Sequence, residues 1–405
     1  MTASSAVPAT PAVRLGGDCA VVESGLGLAW RVHDDPYGTG FGPLVSLALR
    51  DNPKRAQLAV STVLGKHLPV VPAAAIGAAD RLAALVRADR PAVLGYCETA
   101  TSLGHLVAEA LGAPYVHTTR RPEPSVPPMA GFDEEHSHAV AHTLQPRPGV
   151  LDGPGSTVVL VDDEVTTGTT ALNTIAALQA RLPRRRWVVA ALLDLREDAA
   201  RERFARRAEE LGVEVEVVSL VSGALVVPDD VTERAGRLRA QLARTAPAPV
   251  PAGRGELVLR DLPWAADVPL GGRLGVQPTD RVRQDEQLAA TAGALELSGG
   301  PVLVLGTEEL MWAPLRLAAL LPGAVFHSTT RSPVLPADVD GYAVRRVLTF
   351  PAPDAPQRVS RLHGLPASAY ADVVVVTDTP AAAATGLGEA LRPWAGERVH
   401  VVGLA

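Results

Sequence analysis

The sequence predicts an α/β protein, with a parallel sheet flanked by helices followed by a second α/β unit. Three observations carry that expectation. Short apolar runs rich in Val, Leu and Ala alternate with helix-periodic segments, as in sheets whose strands are buried on both faces and joined by crossover helices. The chain has 405 residues, more than one ordinary core accommodates. A Pro/Ala stretch, TAPAPVPAGRG, runs from Thr245 to Gly255 and interrupts the alternation, as a linker does. The expected organisation is a disordered tail over 1–12, a first unit over 13–244, the linker over 245–255 and a second unit over 256–405.

In chain order, PAVLGY reads as a strand leading into the helix LGHLVAEAL. STVVLVDD leads into TALNTIAALQARL, and RWVVAALLDL into AARERFARRAEELG. VEVEVVSLV closes the first unit, before the polar helix DDVTERAGRLRAQLAR. Hydrophobic content of 47% with 20% charged residues is that of a soluble globular chain. A net charge of −6 argues against a nucleic-acid or membrane-surface protein in bulk, and leaves a local basic cleft open. Only Cys19 and Cys97 are present, so no disulfide framework is expected. The start, MTASSAVPATPAV, lacks a basic region followed by an apolar core, and no later run reaches spanning length. These features read as cytoplasmic.

The two units resemble each other. Leu94–Pro122 laid over Leu305–Pro333 needs no gap and gives 11 identities in 29 positions, including a strand-end Gly and Glu and a shared TTR-x-P. Further on, VVVVTDTPAAAATGLGEAL falls where VVLVDDEVTTGTTALNTIAAL falls in the first unit. Composition alone does not favour the strand-end matches, so an internal duplication with a degenerate second copy is expected.

VVLVDDEVTTGTT, residues 158 to 170, sets Asp162, Asp163 and Glu164 at the end of a buried strand, where desolvating carboxylates is costly. The turn that follows opens a helix whose free N–H groups form an anion site. Gly168 admits close backbone approach, and Thr166, Thr167, Thr169 and Thr170 add hydroxyls. This is a phosphate cradle, without the G-x-x-x-x-G-K-[ST] of the nucleotide-triphosphate loop. Acidic groups beside it require a neutral, hydroxyl-bearing part of the same ligand, such as a ribose.

An apolar strand followed by this acidic pair and T-x-G-x-T resembles the phosphoribosyl-pyrophosphate (PRPP) signature of type I phosphoribosyltransferases. Glu164 departs from the commonest, aliphatic choice after the pair. Together with GYCETATSLGH, VLGKHLPV, EEHSHAVAH, TTRSP and DGY, the chain resembles a bacterial subfamily in which an orotate-type phosphoribosyltransferase domain is joined to a C-terminal TRSP domain. Such fused proteins resemble components of tellurium-resistance stress clusters, which implies a nucleoside-like metabolite as the product.

The resemblance implies a Mg²⁺-dependent transfer of phosphoribose from PRPP to a base-like acceptor, with Asp162, Asp163 and Glu164 as the catalytic acidic set. Mg²⁺ would be held through PRPP and by Asp162 and Asp163. The diphosphate would lie against Tyr96, Cys97, Glu98, Thr99, Ala100 and Thr101, in a tight loop expected to hold a strained or cis peptide. Lys66, Arg120 and Arg121 would assist, since arginine binds phosphate bidentately; His67 and His117 are adjacent candidates. Glu134, Glu135, His136 and His138, with His142 beyond, read as a mobile hood that closes over the reaction. Their spacing also admits a mononuclear metal site, the less favoured reading.

In the second unit Thr377-Asp378 stands where Asp162-Asp163 stands, and PAAAATG replaces the threonine-rich turn. PRPP chemistry is therefore expected to be lost there. Glu308, Glu309, Thr330, Arg331 and Ser332, with Thr329, either form a separate polar site or cap the first unit's cleft; Arg331 pairing with Glu309 to pin two loops is an equal alternative. Two competing functions remain: a catalytically inactive PRPP- or nucleotide-sensing regulator, and a second-unit lyase or hydrolase acting on the product. A homodimer and partners among stress-cluster proteins are compatible with the sequence.

Overall fold

The computed structural model describes residues 20–50, 56–132, 142–153, 157–245 and 248–404. The first half opens with α1 (Ala20–Leu26), β1 (Ala29–Asp34) and an antiparallel hairpin of β2 (Val45–Leu49) and β3 (Gln57–Ser61). Pro72 then starts α2 (Pro72–Leu85), where its missing N–H costs nothing. β4 (Ala92–Gly95) leads into α3 (Thr101–Leu111), which ends at Gly112 in the left-handed region, φ 60°. After β5 (Tyr115–His117) come the paired β6 (Ala130–Phe132) and β7 (His142–Leu144), then β8 (Val158–Val165) and α4 (Thr169–Gln179). β9 (Arg186–Asp194), α5 (Asp198–Glu210), β10 (Glu214–Val226) and α6 (Val231–Leu242) complete this half.

Its sheet runs β1-β10-β9-β8-β4-β5, with β1 antiparallel and every other pairing parallel. Alternate residues of each strand go to opposite faces. Val93, Val159, Val161 and Val188 enter one core, while Leu94, Val158, Leu160 and Val189 enter the other.

The second half contains β11 (Glu256–Leu262), α7 (Arg281–Ala294), β12 (Val302–Gly306), α8 (Trp312–Leu320) and β13 (Val325–Ser328). A hairpin of β14 (Val347–Ala352) and β15 (Ala355–His363) follows, then β16 (Tyr370–Thr377), α9 (Thr385–Leu391) and β17 (Ala395–Leu404). Its sheet is all parallel, in the order β11-β17-β16-β12-β13. The run β17-β16-β12-β13 repeats β9-β8-β4-β5 in order and in register. Gly95 pairs with Val161 and His117, and Gly306 with Val376 and Ser328. The edge place that β10 fills after β9 is filled here by β11, which precedes all the others in the chain.

One core runs through both halves. Leu103, Leu106 and Tyr115 belong to the same buried cluster as Trp312, Leu315 and Phe326, so α2, α3, α7 and α8 form a middle layer between two sheets. His105 stacks on Trp312 at 4.1 Å within it. Among the described residues no helix is long and apolar enough to cross a membrane.

Glycine is required where one half's arm crosses to the other half's sheet edge. A Cβ on Gly272 would stand 2.2 Å from the Tyr115 ring, and one on Gly65, φ +74°, would stand 2.6 Å from Phe326. Gly272→Ala should therefore lower the urea midpoint, by about 1–3 kcal/mol in stability. Gly77→Ala on α2, where a Cβ meets nothing within 4 Å, should raise stability by about 0.5–1 kcal/mol. Equal effects of the two changes would contradict this packing.

Candidate active site

The carboxyl ends of β4, β5 and β8 place the expected residues together, as open parallel sheets do. Asp162, Asp163 and Glu164 lie near the carboxyl end of β8, each half-buried. Asp163 N–H donates to Asp162 Oδ1 at 2.9 Å. Burial, with the Asp163 charge beside it, pushes the Asp162 carboxyl well above its ordinary range. Burial and Asp163 likewise push Glu164 up to about 7, against the smaller opposing pull of Arg50 and Lys66.

The turn beyond has the shape its sequence implies. Gly168 caps α4 with φ 79°, and a Cβ there would strike Phe204 at 2.3 Å. Thr167 and Thr169 hydroxyls lie 3.0 Å apart, and Thr169 N–H donates to Thr167 Oγ1. Thr166 is exposed at the tip, and the Thr170 carbonyl accepts the Thr174 hydroxyl. Beneath the turn the Arg196 guanidinium sits 4.6 Å from the Phe204 ring and pairs with buried Asp194 at 2.9 Å. Burial alone would raise the Asp194 carboxyl, but hydrogen bonds and charge from Arg196 hold it below its usual value.

The loop after β4 divides its residues between roles. Tyr96 is buried and its hydroxyl bonds Thr174 at 2.9 Å, tying the loop to α4. The Cys97–Glu98 peptide is cis. Burial pushes the Cys97 thiol up to about 12, so it is protonated at neutral pH. Thr99 accepts from Lys66 Nζ, Ala100 N–H closes on the Tyr96 carbonyl, and the Thr101 hydroxyl bonds the Glu98 carbonyl at 3.0 Å. Buried Glu98 turns to the second half, where Thr330 donates at 2.9 Å and Arg331 N–H at 3.3 Å.

Arg120 and Arg121 also face that half. Arg120 N–H donates to Glu309 at 2.7 Å, and its guanidinium lies 3.5 Å from His142. Arg121 pairs with Asp354 at 2.9 Å and Asp378 at 3.2 Å. Arg331 pairs with Glu308 at 2.9 Å and Glu98 at 3.3 Å rather than with Glu309. The Ser332 carbonyl accepts from His363 at 2.9 Å. Glu134, Glu135, His136 and His138 lie outside the described residues, whereas His142 is buried on β7, stacked on Phe132. His67 and His117 are buried too, and the His117 Nδ1–H donates to the Thr118 carbonyl at 2.8 Å.

Sequence reasoning missed the wall facing this site. A cleft of about 540 Å³ runs from Glu164, Thr166 and Thr167 to Trp30, Arg50 and Gln57. These last three come from β1, the residue after β2 and the start of β3, and nothing in the local sequence signals that they reach the strand ends. Among the described residues no group of three or more His, Cys, Asp or Glu side chains is arranged to hold a metal ion. The pair Asp162 and Asp163 suits an ion that takes its remaining ligands from substrate and water.

Because the folded chain holds the Glu164 proton from pH 4.5 up to about 7 while the unfolded chain releases it, stability falls as pH rises through that window and levels off above it. In Glu164→Gln this slope is absent. The melting temperature of the unliganded variant, relative to wild type, should therefore be higher at about pH 8 than at about pH 5. The same difference at both pH values would contradict a raised Glu164.

Residues 44–224 match the family described as phosphoribosyl transferase, PRTase_2, and residues 270–391 match the TRSP domain, described as C-terminal to PRTase_2. A comparison with curated proteins gives no match. Similar solved structures include three adenine phosphoribosyltransferases. That of Trypanosoma brucei is 17% identical over 50% of this chain and 79% of its own, with a TM-score of 0.32. That of Giardia lamblia is 21% identical over 44% and 93%, at 0.33, and that of Thermoanaerobacter pseudethanolicus 17% over 44% and 95%, at 0.31. The family matches fall on the two sheets in turn, and the threonine-rich turn and its acidic strand end lie inside the first. The chain thus carries a phosphoribosyltransferase domain of the PRTase_2 family followed by a TRSP domain.

Proposed function

We propose that the first half transfers phosphoribose from PRPP to a base-like acceptor, releasing pyrophosphate. The observation that carries this reading is the run from Asp162 to Thr170. A carboxylate pair that is costly to bury stands directly before a helix N-terminus with Gly168 in the left-handed region. In this reading the ribose hydroxyls donate to Asp162 and Asp163, which relieves their mutual repulsion. The 5′-phosphate takes the N–H groups and hydroxyls of residues 166–170. Lys66 and Thr99 face the diphosphate.

Transfer forms a bond from an acceptor nitrogen to ribose C1 while the C1–O bond to diphosphate breaks, the electron pair leaving with pyrophosphate and the acceptor losing a proton. The chain orients the two reactants and stabilises the leaving charge. Mg²⁺, held by PRPP oxygens with Asp162 and Asp163, would supply charge neutralisation. The cleft wall of Trp30, Arg50 and Gln57 offers the acceptor one aromatic and two polar groups, and Glu134, Glu135, His136 and His138 are read as its hood. Composition alone supports a cytoplasmic setting, and resemblance alone a nucleoside-like product in a tellurium-resistance or stress system.

Incubation with PRPP, Mg²⁺ and a panel of bases should release pyrophosphate with at least one base. Asp162→Asn with Asp163→Asn should lower the rate by about 100-fold or more. The melting temperature of the unliganded double variant should be unchanged or higher, because two repelling carboxylates are removed. PRPP binding without turnover of any base would favour a sensor, and a lowered melting temperature would favour a structural role for the pair.

A further inference from the structure

The two halves touch through contacts that occur in reciprocal pairs. The Gly65 carbonyl accepts from Ser328 N–H at 2.7 Å, and the Gly272 carbonyl from His117 N–H at 3.0 Å. Val70 bridges Phe326 at one sheet edge, and Val276 bridges Tyr115 at the other. Glu98 accepts from the Thr330 hydroxyl at 2.9 Å and Arg331 N–H at 3.3 Å. Glu309 accepts from the Thr119 hydroxyl at 2.6 Å and Arg120 N–H at 2.7 Å. In the alignment of Leu94–Pro122 with Leu305–Pro333, Tyr115, His117, Glu98, Thr119 and Arg120 stand opposite Phe326, Ser328, Glu309, Thr330 and Arg331. This is the self-complementary interface of a two-fold dimer, made within one chain.

The two strand ends behind this interface differ. At the second half's strand end Asp378 pairs with Arg121 of the first half, which also pairs with Asp354, and with Arg273 at 2.8 Å. Asp261 takes the Ala381 N–H at 2.7 Å, at the turn that replaces the phosphate cradle. The residue opposite Arg121 is Ser332, too short to reach Asp163 in the same way.

From this we infer that the C-terminal half is the built-in partner of a pseudo-dimer with one open site, and that Thr330 and Arg331 are positioning residues for the reaction in the first half. They act through Glu98. Glu98 as a residue is only 5% exposed, so its carboxylate must find donors inside the protein. The loop carrying it also carries Thr99, which holds Lys66. Removing the Thr330 donor frees that loop to move in search of another partner, and small misplacements of groups that orient a substrate are costly. The inference rests on the phosphoribosyl-transfer reading above.

The pseudo-symmetry supplies its own control. Thr330→Val and Thr119→Val each delete one buried hydroxyl donor to a buried carboxylate, at mirror-related places, but Thr119 serves the loop of the closed site. Both should lose similar amounts of thermal stability. Only Thr330→Val should raise the PRPP dissociation constant and lower kcat/KM for PRPP, by about 10-fold or more, and Thr330→Ser, which keeps the hydroxyl, should recover most of both. Should a valine variant fail to fold, the same comparison is made with Thr330→Ser, Thr330→Ala and Thr119→Ala. Equal changes in PRPP affinity at the two positions, or none at Thr330, would overturn the inference while leaving the transfer reading intact. A wild-type chain that neither binds PRPP nor releases pyrophosphate with any base would overturn both.

Discussion

Two carboxylates in the interior, Glu98 and Glu309, constrain everything around them. Each is 5% exposed or less, and a buried carboxylate left without donors is severely destabilising. Each draws its donors from the other half, a threonine hydroxyl and the following N–H of the TTR segment. Neither half can therefore satisfy its own strand-end loop alone. The crossing arms at Gly65 and Gly272 and the shared core of Tyr115, Trp312 and Phe326 follow the same logic. An edge strand with unpaired backbone groups needs cover, and each half covers the other's.

Within that frame, a few residues decide which strand end is open. At the end of β8 three acidic residues follow one another, and burial with mutual repulsion keeps Asp162 and Glu164 above their ordinary pKa values. That is an unfavourable arrangement in the free protein, and one that a hydroxyl-rich ligand of the kind proposed would relieve. At the end of β16 burial would raise the single Asp378, but Arg121 and Arg273 hold its carboxyl below the usual range. This end is already satisfied by side chains and has no need of a ligand.

Much of this was legible in the sequence because it depends on local rules. The apolar runs at 92–95, 158–165 and 302–306 became strands, and the glycine of T-T-G-T-T took the left-handed cap position that its place between strand and helix demands. Equal spacing from the strand-end glycine to TTR-x-P returned β5 and β13 to the same register. What stayed hidden depends on non-local pairing. The hairpin of β2 and β3 brings Arg50 and Gln57 to the cleft, β11 fills a sheet edge in parallel although it comes first among the strands of its half, and Arg331 engages Glu98 and Glu308 instead of Glu309. His142, read with the hood, is buried on β7 because its ring stacks on Phe132 and meets Thr118, a contact no spacing rule anticipates.

The account's central claim is that two homologous strand ends share one interface and only one of them takes PRPP. Titration calorimetry of the full chain with PRPP and Mg²⁺ tests this most directly. The account predicts a single equivalent bound per chain, whereas two equivalents would contradict it.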